Sequence, residues 1–203
     1  MTDLAITDLL ASLGLEGSNA DQARSVLEQA GLTNQRKQRI SVVKLPAVRA
    51  AIDASIARLC ARCAANVAGD GRMLVRVETA QCARCNGSAT RRALDELAAA
   101  CRSTGLGRVV VVGGSPDVRR ELAAVGDSVE IRLVDGTERR TKAQALRDVD
   151  WADVVVIAGA SELAHKVSLL YTREPGARGK LVTSSRRGVE AIATAIGEHL
   201  RRR

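Results

Sequence analysis

The sequence has 203 residues, 46% of them apolar, which is enough material for a buried core in one or two domains. It contains no Phe, one Trp and one Tyr, which excludes the stacked aromatic platforms that hold bases in many single-strand-binding proteins. The net charge of +8 favours a polyanionic partner and fits equally well with charge that keeps a small domain in solution.

Residues 1–57 are predicted to be helical. Apolar residues recur at helical spacing in a first helix that ends near Gly14 and in a second that begins at Ser18 or Asn19. The segment Ala30–Thr33, which follows, is typical of the turn in a helix-turn-helix motif. The first 57 residues therefore predict a helical domain of helix-turn-helix type.

The segment from Asn34 to Lys44 has the composition of a DNA-recognition helix. It contains four basic residues and no acidic one: Arg36, Lys37, Arg39 and Lys44. In such a helix, basic side chains contact phosphates and amide side chains reach base edges. The segment predicts either a DNA-binding surface at these four residues or a solvated turn between packed helices. A further helix from Pro46 to Arg62 is expected to carry Cys60 at its end.

Four cysteines form two Cys-x-x-Cys pairs, Cys60/Cys63 and Cys82/Cys85, with 18 residues between the pairs. This spacing is typical of a structural Zn²⁺ site with four thiolate ligands. Residues 58–105 are therefore predicted to form a zinc ribbon, in which a hairpin returns the second pair to the first, followed by a connecting helix. Asn86 and Gly87 permit the positive φ of a zinc-binding turn. An iron–sulfur cluster, a redox pair and disulfides remain alternatives, and Cys101 is expected to be a buried apolar residue.

Residues 106–203 alternate between apolar strands and amphipathic helices. The strands are predicted at 108–114, 129–136, 152–159 and 180–183, and the helices at 116–125, 142–149, 161–172 and 188–200. Such alternation predicts a parallel sheet with helices on both faces. The expected fold class is therefore α/β: an N-terminal helical region, a zinc ribbon with four cysteine ligands, and a four-stranded parallel Rossmann-like sheet.

Four short segments follow the four predicted strands: Val111–Gly114, Val134–Glu138, Ser161–Lys166 and Thr183–Ser185. On these segments, the carboxy-terminal half of the chain resembles the bacterial Rossmann-like family named domain of unknown function 2325. The resemblance implies a Rossmann-like fold and no established activity. Family members usually carry an acidic residue and a Cys at the positions where this chain has Ala160 and Ser161.

The segments after the strands also predict a nucleotide or phosphate pocket, because ligands bind at the carboxyl ends of parallel strands. Its expected residues are Gly113, Gly114, Ser115, Asp135, Ser185 and Arg186. Glycine amides can approach an anion, Asp135 can bind a ribose hydroxyl or make a turn, and Arg186 can bind phosphate. The full dinucleotide fingerprint and the phosphate-loop motif are absent, which disfavours a standard dehydrogenase or ATPase. His165 is a weak catalytic candidate.

Three hypotheses for function follow, in descending order of preference. The first is a nucleic-acid-associated or regulatory zinc protein, with DNA favoured, whose Rossmann-like domain senses a ligand or forms a homodimer. The second is a structural adaptor in a larger complex, and the third is an enzyme acting on a nucleotide or phosphorylated small molecule. Paired thiols indicate the reducing cytosol, and no stretch has the roughly 18 apolar residues of a membrane span or the pattern of a secretory leader.

Overall fold

The computed structural model describes residues 3–67, 69–123, 129–160 and 163–203. The chain divides into two units, with the boundary between Ser88 and Ala89. The predicted α/β fold class is confirmed by a four-stranded parallel sheet in the second unit and a group of four cysteines in the first. The end of the helix predicted at 116–125 and the start of that predicted at 161–172 lie outside the described residues. No helix within the described ranges is long and apolar enough to span a membrane.

The first unit combines helices with two small two-stranded sheets. Its elements are β1 (Asp3–Ala5), α1 (Ile6–Ser12), α2 (Ser18–Gln29), β2 (Arg39–Ser41), a 3₁₀ turn (Val42–Lys44), α3 (Leu45–Ser55), β3 (Ile56–Leu59), α4 (Ala61–Ala64), β4 (Met73–Arg76) and a second 3₁₀ turn (Thr79–Gln81). β1 pairs with β2 in antiparallel orientation, and β3 pairs with β4 in parallel orientation. The core of this unit is formed by α1, α2, α3 and the strands β3 and β4, with buried residues that include Ile6, Leu9, Leu27, Val48, Ile52, Ile56 and Val75.

Of the two alternatives predicted for residues 34–44, the recognition helix is wrong, because the backbone of this segment makes other hydrogen bonds. The side-chain oxygen of Asn34 accepts from the backbone N–H groups of Arg36 and Lys37, each at 3.1 Å, which makes a tight turn. The Arg24 guanidinium donates to the carbonyl oxygens of Asn34, Gln35 and Lys37. Residues Arg39–Ser41 then form β2, which pairs with β1. The four basic residues therefore lie on a turn, a short strand and a 3₁₀ turn.

The helix predicted from Pro46 to Arg62 is also too long, since α3 ends at Ser55 and β3 leads into Cys60. Ile56 and Leu59 continue the helical spacing of the preceding apolar residues, but all four residues of β3 are buried, as in a covered parallel strand. The predicted hairpin is also wrong. A hairpin joins antiparallel strands, whereas β3 and β4 are parallel, with Ile56 opposite Met73. Parallel strands require a crossover connection, and here it contains α4.

The second unit is a parallel sheet between two layers of helices. Its elements are α5 (Ala89–Thr104), β5 (Arg108–Gly113), α6 (Pro116–Ala123), β6 (Glu130–Val134), α7 (Lys142–Trp151), β7 (Val154–Ala158), α8 (His165–Thr172), a 3₁₀ turn (Pro175–Ala177), β8 (Leu181–Ser184) and α9 (Val189–Arg201). The strand order is β6-β5-β7-β8, and every neighbouring pair is parallel. The four predicted strands and the parallel sheet are confirmed.

Alternate residues of the central strands supply two separate cores. Val109 and Val111 pack with α5, α6 and α9 on one face. Val110 and Val112 pack with α7 and α8 on the other face. A strand covered on both faces needs apolar side chains on both faces, which is why β5 after Arg108 and all of β7 are continuous apolar runs. The chain passes from β5 to β6 on one side and then to β7 on the other, so the switch in strand order lies between β5 and β7.

Candidate metal centre and ligand cavity

Four cysteines of the first unit meet in one buried cluster. The Sγ atoms of Cys60, Cys63, Cys82 and Cys85 all lie within 4.8 Å of one another, and those of Cys60 and Cys85 are 3.9 Å apart. A tetrahedral Zn²⁺ with Zn–S bonds of about 2.3 Å holds its sulfur ligands about 3.8 Å apart. The cluster therefore has the ligand number, ligand type and spacing to hold one metal ion. None of these cysteines, all in the described part of the chain, forms a disulfide.

The two cysteine pairs are presented by different local structures. Cys60 precedes α4 and Cys63 lies within it, so that the Ala64 N–H donates to the Cys60 carbonyl at 3.0 Å. Cys82 and Cys85 flank a turn in which the Asn86 N–H donates to the Cys82 carbonyl at 2.9 Å. Asn86 has a φ of 47° and Gly87 a φ of 81°, as the sequence predicted for a metal-binding turn. Each pair therefore holds its two thiols on one side of a tight bend.

The pKa values of the Cys63 and Cys82 thiols are shifted in opposite directions. Burial raises the pKa of the Cys63 thiol, and hydrogen bonds with the other three cysteines raise it further. Burial also raises the pKa of Cys82, but backbone N–H groups of Cys85, Cys60 and Arg84 outweigh burial and lower that pKa to about 6. These N–H groups therefore favour the thiolate form of Cys82, which is the form that binds metal. Since metal competes with protons for thiolate ligands, metal affinity falls with acidification.

A buried arginine fixes the cluster to the helices of the same unit. The Arg58 side chain is 7% exposed and forms an ion pair with Asp53 at 2.8 Å. Its guanidinium also donates to the carbonyl oxygens of Leu13 and Gln81, each at 3.4 Å. The Arg58 carbonyl accepts from the Ala83 N–H between the second pair of cysteines, at 2.9 Å. Sequence reasoning missed Arg58, because a single Arg in an apolar run carries no signal of burial.

The second unit contains a cavity of about 190 Å³ at the carboxyl ends of β5, β7 and β8. It lies at the switch in strand order, where open α/β sheets bind ligands. Its lining includes Gly114, Ser115, Ala160, Arg186, Arg187 and Gly188. Ser115 and Gly188 precede α6 and α9, so both helices begin at the cavity. Helix N-termini and guanidinium groups both favour an anion.

The loops around the cavity are fixed by short hydrogen bonds. The Arg187 Nε donates to the Ala160 carbonyl at 2.7 Å, which joins the loop after β8 to the loop after β7. The Ser184 hydroxyl donates to the Arg186 carbonyl at 3.0 Å. Gly114 has a φ of 89°, and a Cβ there would lie 3.4 Å from Val118. Among the described residues, the cavity lining contains two arginines and no carboxylate, His, Cys or Lys. Its charge is therefore positive.

Three of the six residues predicted for the ligand pocket line this cavity: Gly114, Ser115 and Arg186. Gly113 ends β5, and Ser185 follows β8 beside the lining. Asp135 does not line the cavity and pairs instead with Arg119 at 2.7 Å. His165 begins α8 and is likewise not part of the lining.

The basic residues predicted to contact nucleic acid lie in the first unit. Lys37, Arg39 and Lys44 line a groove of about 390 Å³, and Arg36 is exposed but does not line it. Asp3 also lines the groove, and the Arg39 guanidinium donates to its backbone carbonyl. The four residues therefore form a basic surface, in which the Arg39 guanidinium already has a hydrogen-bond partner.

No family model, no curated protein and no solved structure matches this chain. The resemblance to domain of unknown function 2325 stays a prediction that rests on the four segments named above.

Proposed function

We propose that the chain is a zinc-binding regulatory protein of the cytosol, in which zinc stabilises the first unit and the second unit senses a phosphate-bearing small molecule. The observation that carries the proposal is the buried group of four Sγ atoms within 4.8 Å of one another. A metal held by four buried thiolates has no open position for substrate, which supports a structural and not a catalytic role. Reduced thiols of this kind persist in the cytosol.

The spacing of the sulfur atoms favours zinc over an iron–sulfur cluster. A single ion at the centre reaches all four sulfur atoms at about 2.3 Å when they lie about 3.8 Å apart. A cluster places irons and sulfides between the cysteines and requires wider separations. All four Sγ atoms lie within 4.8 Å of one another, which leaves room for one ion between them and not for a cluster.

Metal analysis of the purified chain tests this assignment. We expect one zinc per chain, and we expect Co²⁺ exchanged into the site to show the absorption of a tetrahedral tetrathiolate. Cys82→Ser should lower the zinc content, whereas Cys101→Ala should leave it unchanged, because Cys101 lies in the core of the second unit. Iron with inorganic sulfide, or a chain that takes up no metal, would contradict the proposal.

The sensing role rests on the cavity of the second unit. Its lining offers an anion two arginines and two helix N-termini but, among described residues, no group suited to general acid–base catalysis. This composition supports binding without chemistry. Thermal melting of the zinc-loaded chain in increasing inorganic phosphate tests it, and we expect the melting temperature of the second unit to rise. The double variant Arg186→Gln/Arg187→Gln should lose the effect, whereas Arg173→Gln, an exposed position away from the cavity, should keep it.

A second candidate function is nucleic-acid binding through the basic surface of Arg36, Lys37, Arg39 and Lys44. The observation that favours it is the groove lined by three of these cations. Gel-shift titrations on duplex DNA at two salt concentrations test it, with binding expected at low salt and weaker binding at high salt. The quadruple Gln variant should not bind, whereas a control lacking Lys142, Arg147, Arg173 and Arg178 has the same net charge and should bind. Without binding at low salt, a structural adaptor becomes the better account.

A further inference from the structure

We propose that the cavity of the second unit binds a small phosphomonoester at the start of α9 and does not accept a dinucleotide. The inference rests on the proposed sensing function and names the ligand class. Three observations carry it: the size of the cavity, the hydrogen bonds of Asp135, and the difference between the two helix N-termini.

The cavity is too small for a dinucleotide. Its volume is about 190 Å³, whereas sites for drug-sized ligands have volumes of about 300–1,000 Å³. A phosphate group with a few further atoms fits within it. A larger ligand would have to continue from the glycine loop toward the end of β6, as dinucleotides do in Rossmann folds.

That route is closed by a chain of hydrogen bonds. Val112 lies opposite Val134 in the sheet, so Gly113 and Asp135 end neighbouring strands. An acidic residue at this place binds the ribose of a dinucleotide. Here the backbone N–H and hydroxyl of Thr137 both donate to Asp135 Oδ1, at 2.9 and 2.7 Å, and Arg119 donates to Oδ2 at 2.7 Å. A carboxylate can accept about four hydrogen bonds, and Asp135 already accepts three.

Arg119 occupies the space between the glycine loop and Asp135. Its Nη1 donates to the Gly114 carbonyl at 2.9 Å, and its Nη2 donates to Asp135. The pair is about three-quarters buried, with 22% and 25% of the two side chains exposed. A ribose at this position would have to displace Arg119 and break the ion pair. The ligand therefore ends on the α9 side of the cavity.

The two helix N-termini at the cavity differ in their capping. The Ser115 hydroxyl accepts from the Val118 N–H at 3.4 Å, so α6 has a side-chain cap. α9 has Gly188 as its N-cap, and within the described residues no side chain caps it. Arg186 and Arg187 immediately precede Gly188 and line the cavity. Uncapped amides next to two guanidinium groups are the favoured partners of a doubly charged phosphate.

Isothermal titration of the zinc-loaded full chain with three probes tests the inference: ribose 5-phosphate, inorganic phosphate and NAD⁺. We expect ribose 5-phosphate to bind, inorganic phosphate to compete with it, and NAD⁺ to bind at least about tenfold more weakly. Arg186→Gln and Arg187→Gln should each weaken ribose 5-phosphate by about tenfold or more, because each removes a charge-assisted contact. Arg173→Gln should have no effect.

The possible outcomes separate the two proposals. NAD⁺ binding as tightly as ribose 5-phosphate would overturn the inference and leave the sensing function intact. Inorganic phosphate binding without ribose 5-phosphate would show a site for the free anion and would also overturn the inference. If none of the three probes binds, both the inference and the sensing function are overturned.

Discussion

The two units of this chain stabilise themselves by different means. The second unit has a four-stranded sheet whose central strands, apart from Arg108 at the start of β5, are apolar and covered on both faces. Within the described residues, the first unit has two sheets of two strands each, and these strands contain three or four residues. Such short pairs are marginal on their own. In the first unit, the cluster packed against β3 is made largely of cysteines, and β3 itself contains the buried Arg58.

This difference shows what the metal contributes. A structural Zn²⁺ supplies about 10–16 kcal/mol of apparent binding free energy to small domains that fold around it. The cysteine cluster joins β3, α4 and the turn around Cys82, segments that have little regular structure between them. We therefore expect the first unit to depend on metal and the second unit to fold without it.

The largest expected effect comes from Cys82→Ser. Loss of one thiolate should abolish most metal binding and so remove most of the metal-dependent stability of the first unit, about 10 kcal/mol for a structural site. Urea unfolding followed by far-UV circular dichroism should then show only the transition of the second unit. Cys101→Ala is the matched control and should keep both transitions. A Cys82→Ser chain with a stable first unit would show that the metal is dispensable.

A smaller effect is expected from Arg58→Met, which keeps the length of the side chain but removes its charge. Arg58 donates to two carbonyl oxygens and pairs with Asp53. Loss of hydrogen bonds from a charged group should lower the free energy of unfolding of the first unit by about 2–3 kcal/mol. Arg49→Met, at an exposed position of α3, should change it little. Equal effects of the two variants in urea unfolding would mean that Arg58 does not connect the cluster to the helices.

In the second unit, Tyr171→Phe should cost about 1–2 kcal/mol. The Tyr171 hydroxyl donates to Asp148 at 2.8 Å and accepts from Arg140 at 2.8 Å, while Arg140 also pairs with Asp148. The variant leaves the buried Asp148 and the partly buried Arg140 each with one hydrogen-bond partner fewer. Thermal unfolding should shift only for the second unit, with zinc content unchanged. A loss of zinc from this variant would show that the two units are not independent.

The smallest effect is a dependence on acid. Burial raises the pKa of Asp153, but the Arg108 side chain and the N–H groups of Arg108 and Gly107 outweigh it, and the net pKa is lowered. A lowered pKa stabilises the folded state above the unfolded value of about 3.9, and this stabilisation is lost as pH falls through the folded value. Arg108 is half exposed, so the contribution should be about 1 kcal/mol or less. Asp153→Asn should flatten the loss of second-unit stability between about pH 5 and pH 3. An unchanged slope would remove Asp153 from the acid response.

The sequence predicted the second unit better than the first, for a physical reason. Continuous apolar runs such as that of β5 indicate a covered parallel strand, and the spacing of the four cysteines indicates a common site. The errors lie where tertiary contacts decide the structure. The apolar spacing through β3 fits a helix, but pairing with β4 makes it a strand. The basic segment after Asn34 has the composition of a recognition helix, but hydrogen bonds from Arg24 hold it in a turn.

Part of the candidate ligand site was also accessible from sequence. Glycines and arginines after strands predict a cavity at the sheet edge, and Gly114 and Arg186 are in its lining. The ion pair between Asp135 and Arg119 could not be predicted from the sequence, because the two residues lie 16 positions apart and no motif indicates the pair. The roles of Arg58 and Arg119 follow only from the folded geometry.

Hydrogen–deuterium exchange of the full chain, with and without a zinc chelator, tests the central claim most directly. We predict that chelation removes the amide protection of α2, α3 and β3 while β5 and β7 stay protected. Addition of zinc should restore protection in the first unit. Two results would contradict the claim that only the first unit needs metal to fold. One is protection of α2, α3 and β3 that persists without metal, and the other is a simultaneous loss of protection in β5 and β7.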